Sequence, residues 1–193
     1  MKEKQPLMKR LIDLGVVIPL AVVAVPLCVL LCILIRAESP GSPLFVQWRV
    51  GRHRRPFRIL KLRTMAADTA HVPSHEVESL KITRLGAILR QLKLDELPQL
   101  WNVLAGTMSL VGPRPCLPTQ NELVEARERR GLFEFLPGVT GPAQLLNVDM
   151  SEPVRLAEVE IEYFARATPI TDLGIVFRTF LGRGRGDAAL RGR

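Results

Sequence analysis

Two adjacent carboxylates, Asp95 and Glu96, lie in the segment LKLDELPQLWNVLAG and are the residues best placed for chemistry. Pro98 fits only the first turn of a helix or a break, and a helix beginning here would put Asp95 at its N-cap and Glu96 in its first turn. Free backbone N–H groups and the positive end of the helix dipole would keep Asp95 ionised and attract a phosphate. An ionised aspartate beside a phosphate can act as a nucleophile and form an acyl phosphate. An Asp-Glu pair is also a common structural helix start, so both interpretations stay open at this point.

Glu96 suits a second purpose, because Mg2+ is commonly held by one or two carboxylates together with the phosphates of a substrate. Such an ion neutralises charge in the transition state of phosphoryl transfer. The turn Gly112-Pro113-Arg114-Pro115 adds an arginine between two prolines. The prolines restrict the backbone, so little entropy is lost when Arg114 holds a phosphate. A plain tight turn would have the same composition.

The chain is basic, with a net charge of +8 over 193 residues, and one segment concentrates this charge. No acidic residue occurs between Ser39 and Ala67, where arginines and lysines are interleaved with Phe45, Trp48 and Phe57. Single-stranded nucleic acid, anionic lipid and substrate phosphates are all suitable partners for this composition. An apolar segment directly upstream favours lipid and phosphates, and a solvated basic face is the alternative without function. Alternating apolar and basic residues within 57–63 predict a short extended segment.

That apolar segment, residues 14–35, has no charged residue and is long enough to cross a membrane, for which about 20 apolar residues suffice. Pro19 and Pro26 interrupt it, and an interior proline removes a helical hydrogen bond. Both flanks are basic, so the positive-inside rule would keep both in the cytoplasm. A re-entrant helix broken near Pro26 satisfies this rule, and a single span with a cytoplasmic N-terminus is the alternative.

The other segments are predicted from capping, proline and periodicity signals. They are a polar loop over 68–79, a helix capped by Thr83 with Ile82, Leu85, Ile88 and Leu89 on one face, a charged helix over 122–130, a helix from Ser151–Pro153 to about Ala167, and an amphipathic segment over 172–181. The amphipathic segment can lie at the membrane surface or pack on the core. His71 and His75 are four residues apart, but Pro73 between them argues against a metal site on one helix face.

Five motifs occur in order along most of the chain. They are SPGSP at 39–43, RVG at 49–51, FRILKLRTM at 57–65, LDELPQLWNVLAGTMSLVGPRP at 94–115 and LPGVTGPAQ at 136–144. From about residue 8 to about residue 182 the chain therefore resembles the bacterial sugar transferases, the small monotopic phosphoglycosyl transferases of glycan assembly. Each motif is weak alone, and their ordered occurrence carries the resemblance.

The resemblance implies transfer of a sugar-1-phosphate from a UDP-sugar to a polyprenyl phosphate, usually undecaprenyl phosphate, with release of UMP and a need for Mg2+. It implies that Asp95 is the nucleophile of a covalent phospho-sugar intermediate. Glu96 is implied as the residue associated with the metal, and Asp95 is the second candidate ligand. The candidate substrate-binding residues are Arg63, Arg84, Arg90 and Arg114.

We therefore expect an α+β, mostly helical protein with interfacial amphipathic helices and a small cytoplasmic catalytic domain. Residues 1–37 would form a basic segment and the re-entrant membrane helix, 38–182 the phosphoglycosyl transferase domain, and 183–193 a basic flexible tail. The family commonly has Ser-Pro at the helix break, where this chain has Val25-Pro26. Pro142-Ala143 likewise replaces a stretch that often contains an aromatic residue.

The expected location is the cytoplasmic face of the bacterial inner membrane. The expected partners are a UDP-sugar, polyprenyl phosphate and inner-membrane lipid, without nucleic acid, and a homodimer is left open. Two rivals from other classes are a membrane-tethered nucleic-acid-binding protein, suggested by the basic aromatic stretch, and a membrane adaptor without chemistry.

Overall fold

The computed structural model describes residues 7–66 and 82–181. The predicted polar loop over 68–79, the histidine pair within it and the predicted tail over 183–193 lie outside the described residues. The helices are α1 Leu7–Glu38, α2 Arg84–Gln91, α3 Gln99–Leu104, α4 Asn121–Arg129, α5 Pro142–Leu145, α6 Pro153–Phe164 and α7 Pro169–Phe180. The strands are β1 Leu44–Val50, β2 Pro56–Leu62, β3 Ser109–Val111 and β4 Gly138–Thr140. The mostly helical α+β class is thus confirmed.

Two small sheets accompany the helices. Strands β1 and β2 form an antiparallel hairpin in which Phe45 pairs with Lys61 and Arg49 with Phe57. Because side chains alternate along a strand, Phe45, Arg49 and Lys61 share one face of this hairpin. Strands β3 and β4 pair in parallel. The extended segment predicted within 57–63 is therefore confirmed as β2.

Helix α1 contains the whole predicted apolar segment in 32 residues, a length of about 48 Å at 1.5 Å per residue. In the described part of the chain it is the one helix long and apolar enough to cross a membrane. The helix continues through Pro19 and Pro26, without the interruption expected at Pro26. Large apolar side chains are exposed along its middle, among them Val22, Val25 and Val29. A lipid environment would cover this surface, which the folded body leaves open.

The N-terminal end of α1 is fastened to the folded body by polar contacts. Arg10 donates to the carbonyls of Val103 and Leu104 at 2.5 and 2.9 Å, at the end of α3. The buried Asp13 carboxylate accepts a 2.7 Å hydrogen bond from the Ser109 hydroxyl in β3. These contacts fix the N-terminal end of the helix against α3 and β3.

The C-terminal end of α1 is fastened to the same body. Leu31 and Ile35 pack in a buried cluster with Leu62 and Leu89 from β2 and α2. Both ends of α1 therefore contact one folded unit, and Val17 and Ala24 between them are also buried, so one face of the helix packs along the body while the other face stays exposed. The main core lies among α1, β2, α3, β3, α4, α6 and α7 and includes Val17, Val103, Met108 and Ala157.

Helix α2 begins where the sequence predicts. The Thr83 side chain accepts a 2.9 Å hydrogen bond from the Gly86 N–H and caps the helix. The predicted apolar face is wrong in one member, because Leu89 is buried while Ile88 is exposed. A helix of eight residues presents a narrow stripe to its neighbour, and Leu89 fills it.

The two C-terminal helices also confirm their sequence signals. Helix α6 has Pro153 in its first turn and ends at Phe164, slightly before the predicted end. Helix α7 places Ile175 in the core, while Ile170 and Phe177 are exposed. Packing on the core is thus confirmed for one face, and a second apolar face remains open to a membrane surface.

Asn102 of α3 joins that helix to β2 and supports the first stability prediction. Its side-chain amide accepts from the Leu60 N–H at 3.1 Å and donates to the Arg58 carbonyl at 2.7 Å. Asn102→Ala should lower the free energy of unfolding by about 2–3 kcal/mol, because two backbone groups of β2 lose their partner. Denaturant unfolding in detergent measures this change. The exposed Asn121→Ala is the control, with an expected change within about 0.5 kcal/mol, and equal effects would contradict the prediction.

Candidate active site

Asp95 and Glu96 lie in a short 3-10 turn, Leu94–Glu96, between α2 and α3. The predicted N-cap position of Asp95 is wrong, because Pro98 is the residue that directly precedes α3. Lys93 has a left-handed backbone with φ 57° and starts the 3-10 turn. The two carboxylates therefore lie in this turn, ahead of α3, instead of at the start of α3. The free N–H groups expected here are largely used, since those of Glu96 and Leu97 donate to carbonyls of the same turn. Anion attraction at this site therefore depends on side chains.

Those side chains are cations gathered around Glu96. Lys61 Nζ lies 2.8 Å from a Glu96 oxygen, and an Arg114 nitrogen lies 3.8 Å from the same oxygen. Burial alone would raise the pKa of Glu96, but Lys61, Arg114 and Lys93 together lower it to about 2. Glu96 is therefore ionised at neutral pH. Three cations around it leave the site with spare positive charge for a phosphate.

Asp95, the residue before Glu96 in the same turn, is buried at 8% exposure. Asp95 acts on the neighbouring Lys93. Burial and the Arg114 charge lower the pKa of Lys93, while the negative charges of Glu96 and Asp95 raise it. Burial shields this carboxylate from water, and Lys93 places a positive charge near it. Both features suit a nucleophile that must attack phosphorus before water does.

The turn that follows β3 brings Arg114 to this site. Backbone carbonyls on both sides of Arg114 accept hydrogen bonds from other parts of the chain. The Pro113 carbonyl accepts from the Gly138 N–H at 2.9 Å, and the Pro115 carbonyl accepts from Arg49 at 3.1 Å. Gly112 packs so closely against the next loop that an added Cβ would lie 2.2 Å from the Leu136 carbonyl oxygen. The rigid arginine turn predicted from its prolines thus also depends on contacts from distant parts of the chain.

Arg49 also lies at this site; it belongs to the RVG motif but was not among the predicted substrate-binding residues. It shares the hairpin face with Lys61, and its second nitrogen donates to the Gln47 side chain at 2.5 Å. Burial, followed by the neighbouring Arg114, lowers the pKa of Arg49 to about 10, so it stays a cation at neutral pH. Alternation along β1 relative to Lys61 was the signal that could have identified it.

Two other predicted substrate-binding arginines, Arg63 and Arg84, lie after the end of α1 and at the start of α2. Arg63 donates to the carbonyls of Pro40 and Ser39 at 2.6 and 2.7 Å and to the Ser39 hydroxyl at 2.8 Å. This geometry fastens the exit of α1 to the domain. Arg84 is exposed at the start of α2, and Arg90 donates from Nε to the Thr64 hydroxyl at 2.9 Å. Of the four predicted arginines, the ion pairs place Arg114 in contact with Glu96.

The oxygen donors at this site also determine which metal ion could bind there. Among the described residues no group of three or more His, Cys, Asp or Glu side chains could hold an ion. Two carboxylates, Asp95 and Glu96, are the donors available at this site. Mg2+ commonly takes one or two carboxylates and completes its shell with water and substrate phosphates, so these residues fit that ion when a phosphate is present.

The low pKa of Glu96 leads to a prediction on acid stability. A carboxylate with a folded pKa of about 2, against an ordinary value of 4.5, binds protons less readily when folded than when unfolded. It therefore stabilises the fold above about pH 4.5, and this contribution is lost as the pH falls towards 2. Glu96→Gln should be less stable than the unmodified protein near neutral pH, and the difference should shrink over that interval.

Thermal unfolding at a series of pH values, in one detergent, measures this difference. Glu125→Gln is the matched control, because Glu125 is exposed and pairs across one helical turn with Arg129. Such surface pairs contribute little, so that variant should follow the unmodified protein at every pH. A constant difference between Glu96→Gln and the unmodified protein from neutral pH to pH 2 would contradict the assigned electrostatics.

Comparison with known proteins adds to this geometry. The model of the bacterial sugar transferase family matches residues 4–184. The UDP-glucose:undecaprenyl-phosphate glucose-1-phosphate transferase of Caulobacter vibrioides is 40% identical over 182 residues, covering 90% of this chain and 68% of the relative. The UDP-N-acetylgalactosamine-undecaprenyl-phosphate N-acetylgalactosaminephosphotransferase of Aeromonas hydrophila is 35% identical, covering 86% of this chain and 42% of the relative. An exopolysaccharide production protein of Rhizobium leguminosarum bv. phaseoli is 35% identical, with 93% and 98% covered. The chain thus spans nearly all of one relative and less than half of another.

Proposed function

The chain belongs to the bacterial sugar transferase family, and we propose that it transfers a sugar-1-phosphate from a UDP-sugar to undecaprenyl phosphate and releases UMP. The observation that carries the proposal is the pairing of Glu96 with Lys61 and Arg114, next to the buried Asp95. Cations in excess of carboxylates suit a diphosphate, and arginine matches phosphate oxygens with its planar fork. The two named transferases act with different sugars, so the proposal is made for the class of UDP-sugars.

In the proposed reaction a carboxylate oxygen of Asp95 attacks the sugar-linked phosphorus of the UDP-sugar. The bond from that phosphorus to the bridging oxygen breaks, and UMP leaves with the electron pair. An oxygen of undecaprenyl phosphate then attacks the phosphorus of the resulting acyl phosphate. The bond to Asp95 breaks, the carboxylate is regenerated, and the sugar remains on an undecaprenyl diphosphate.

The surrounding side chains have distinct parts in this scheme. Lys61 and Arg114 hold the diphosphate and offset its charge as UMP leaves. Glu96, with Asp95 as second donor, would hold Mg2+ on the substrate phosphates. When bound, that ion would neutralise charge that develops on the phosphate oxygens.

We also propose that α1 is re-entrant, bending in the membrane at Pro19 and Pro26 without ending as a helix, and that the catalytic domain lies on the cytoplasmic face. A helix that crosses the membrane has its ends on opposite sides of about 30 Å of hydrocarbon. Contacts of both ends of α1 with one folded body, through Asp13 at one end and Ile35 at the other, support entry and exit on the same side. Basic residues flank both ends, in accord with the positive-inside rule.

The topology is tested by labelling. With the native cysteines replaced, single cysteines introduced by Leu11→Cys and by Glu38→Cys should both react with an impermeant maleimide in inverted membrane vesicles and both be protected in right-side-out spheroplasts. Opposite protection of the two positions would establish a spanning helix and overturn the re-entrant proposal.

The activity is tested with the full chain in detergent, undecaprenyl phosphate, Mg2+ and a panel of UDP-sugars. At least one sugar should release UMP and yield a lipid-linked sugar. In a single turnover without lipid, UMP should appear up to one equivalent of enzyme, since the first step needs no acceptor. Absence of UMP with every sugar would overturn the transferase proposal, and UMP formed only after lipid is added would overturn the covalent route.

A further inference from the structure

An ion pair between α4 and α6 lies fully inside the protein, directly behind the turn that carries Arg114. Arg127 donates from Nε and Nη2 to the two oxygens of Glu160, at 2.8 and 2.6 Å. The two side chains are 2% and 1% exposed. A bidentate pair of this kind has fixed geometry, because the planar guanidinium meets both carboxylate oxygens at once. The pair is therefore a rigid support between two helices.

The same two side chains also bind the main chain of Arg114. The Arg114 N–H donates to Glu160 at 3.2 Å, and the Arg114 carbonyl accepts from Nη1 of Arg127 at 2.7 Å. Both polar groups of this one residue are thus held by the buried pair. The neighbouring Pro113 and Pro115 fix the chain on either side, so the Arg114 side chain starts from an immobile backbone. Its guanidinium faces Glu96 at 3.8 Å.

Stability alone is a poor explanation for this arrangement. Removing two charges from water costs several kcal/mol per ion, and replacing a buried ion pair by apolar residues of similar volume is often neutral or stabilising. An apolar pair at the same positions would fill the space between α4 and α6. It would leave both polar groups of the Arg114 backbone without their partners. Arg127 and Glu160 differ from such a pair because they form hydrogen bonds with the Arg114 backbone.

We propose that Arg127 and Glu160 are positioning residues, which orient the backbone of Arg114 so that its guanidinium meets the diphosphate of the nucleotide sugar. The inference rests on the proposed function, in which Arg114 contacts that diphosphate. Displacement of a positioned group by about 1 Å can cost about 100-fold in rate, so loss of the support should be visible in kinetics. Neither residue touches the substrate in this scheme, and each acts through Arg114.

A double-mutant cycle tests the inference. In the full chain, Arg127→Met with Glu160→Met should lower kcat/KM for UMP release by about 10- to 100-fold. In the Arg114→Ala background the same pair of changes should lower kcat/KM by less than about 3-fold, because the group that they position is gone. The distribution of the loss between kcat and KM should also equal that of Arg114→Ala alone.

The outer surface of the same helices offers a matched control. Arg130 and Glu158 form a 2.9 Å ion pair between α4 and α6, with side chains 26% and 59% exposed. Arg130→Met with Glu158→Met removes an ion pair between the same helices without touching Arg114. That variant should keep kcat/KM within about 2-fold in both backgrounds, as expected for a partly exposed pair.

Folding is measured for every variant by thermal unfolding in the same detergent. If the buried double variant does not fold, Arg127→Lys takes its place, since lysine keeps a charge opposite Glu160 but lacks the fork that also reaches the Arg114 carbonyl. Equal losses with Arg114 present and in the Arg114→Ala background would overturn the positioning role while UMP release still supports the transferase. Absence of UMP from the unmodified protein would overturn the proposed function, and the inference falls with it.

Discussion

Asp95→Asn is expected to lower turnover by at least about 1,000-fold, with UMP absent from single-turnover reactions. The amide has nearly the shape of the carboxylate but is not a nucleophile toward phosphorus, so the loss should come from chemistry. Asp95 is buried beside Glu96, and the isosteric change keeps that packing. Release of UMP from labelled UDP-sugar, with and without undecaprenyl phosphate, measures both steps.

Two controls separate chemistry from folding in this experiment. Glu134→Gln removes an exposed carboxylate, 3.6 Å from His53, and should keep full turnover. Thermal unfolding should show that the Asp95→Asn protein is folded. Cell fractionation should find it in the membrane fraction. A folded Asp95→Asn protein with turnover within about 10-fold of the unmodified enzyme would show that another group makes the first bond.

Local signals explain why much of the architecture could be predicted. The Thr83 cap, the proline in the first turn of α6 and the alternation within β2 are each encoded by residues a few positions apart. Such signals depend on backbone hydrogen bonding and side-chain direction, which act within one element. The position of Asp95 shows the limit of these signals. The left-handed backbone of Lys93 places a 3-10 turn before α3, and no local sequence pattern predicts that conformation.

The surroundings of Glu96 could not be predicted in the same way. Lys61 comes from β2, 35 residues earlier in the chain, and meets Glu96 through the packing of the hairpin on the 3-10 turn. Arg63 is two residues further along the same basic motif, yet its guanidinium fastens Ser39 and Pro40. Both are basic residues of one motif. They are separated by tertiary contacts, because β2 ends at Leu62 and Arg63 lies just beyond the strand.

Arg127 illustrates the same limit for buried charge. In the sequence it stands in a charged helix beside Arg129 and Arg130, and nothing local marks it as the member that is buried. Burial follows from Glu160 in α6, whose carboxylate compensates the guanidinium. A charged residue is buried where a partner meets it, so the decisive information lies in the contact between distant helices.

Removal of Mg2+ is the second change for which we expect a large effect. Chelation with EDTA should lower turnover by at least about 100-fold, and excess Mg2+ should restore it, because charge on the transferring phosphate would lose its counterion. In the absence of nucleotide the ion should bind weakly. Lys61 and Arg114 already neutralise Glu96, and further positive charge beside them is unfavourable. The substrate diphosphate brings the negative charge that makes the site attractive to a cation.

Isothermal titration of Mg2+ into the protein, with and without UDP, tests this dependence directly. Binding should become at least about 10-fold tighter when UDP is present, and Glu96→Gln should raise the Mg2+ concentration needed for half-maximal turnover. Glu125→Gln is again the control, since Glu125 lies exposed on α4 in a pair with Arg129. Full turnover in EDTA would exclude Mg2+ as a requirement. Tight binding without nucleotide would instead mean that Lys61 leaves Glu96 when the ion arrives, because a carboxylate paired with two cations has little charge left to offer a third.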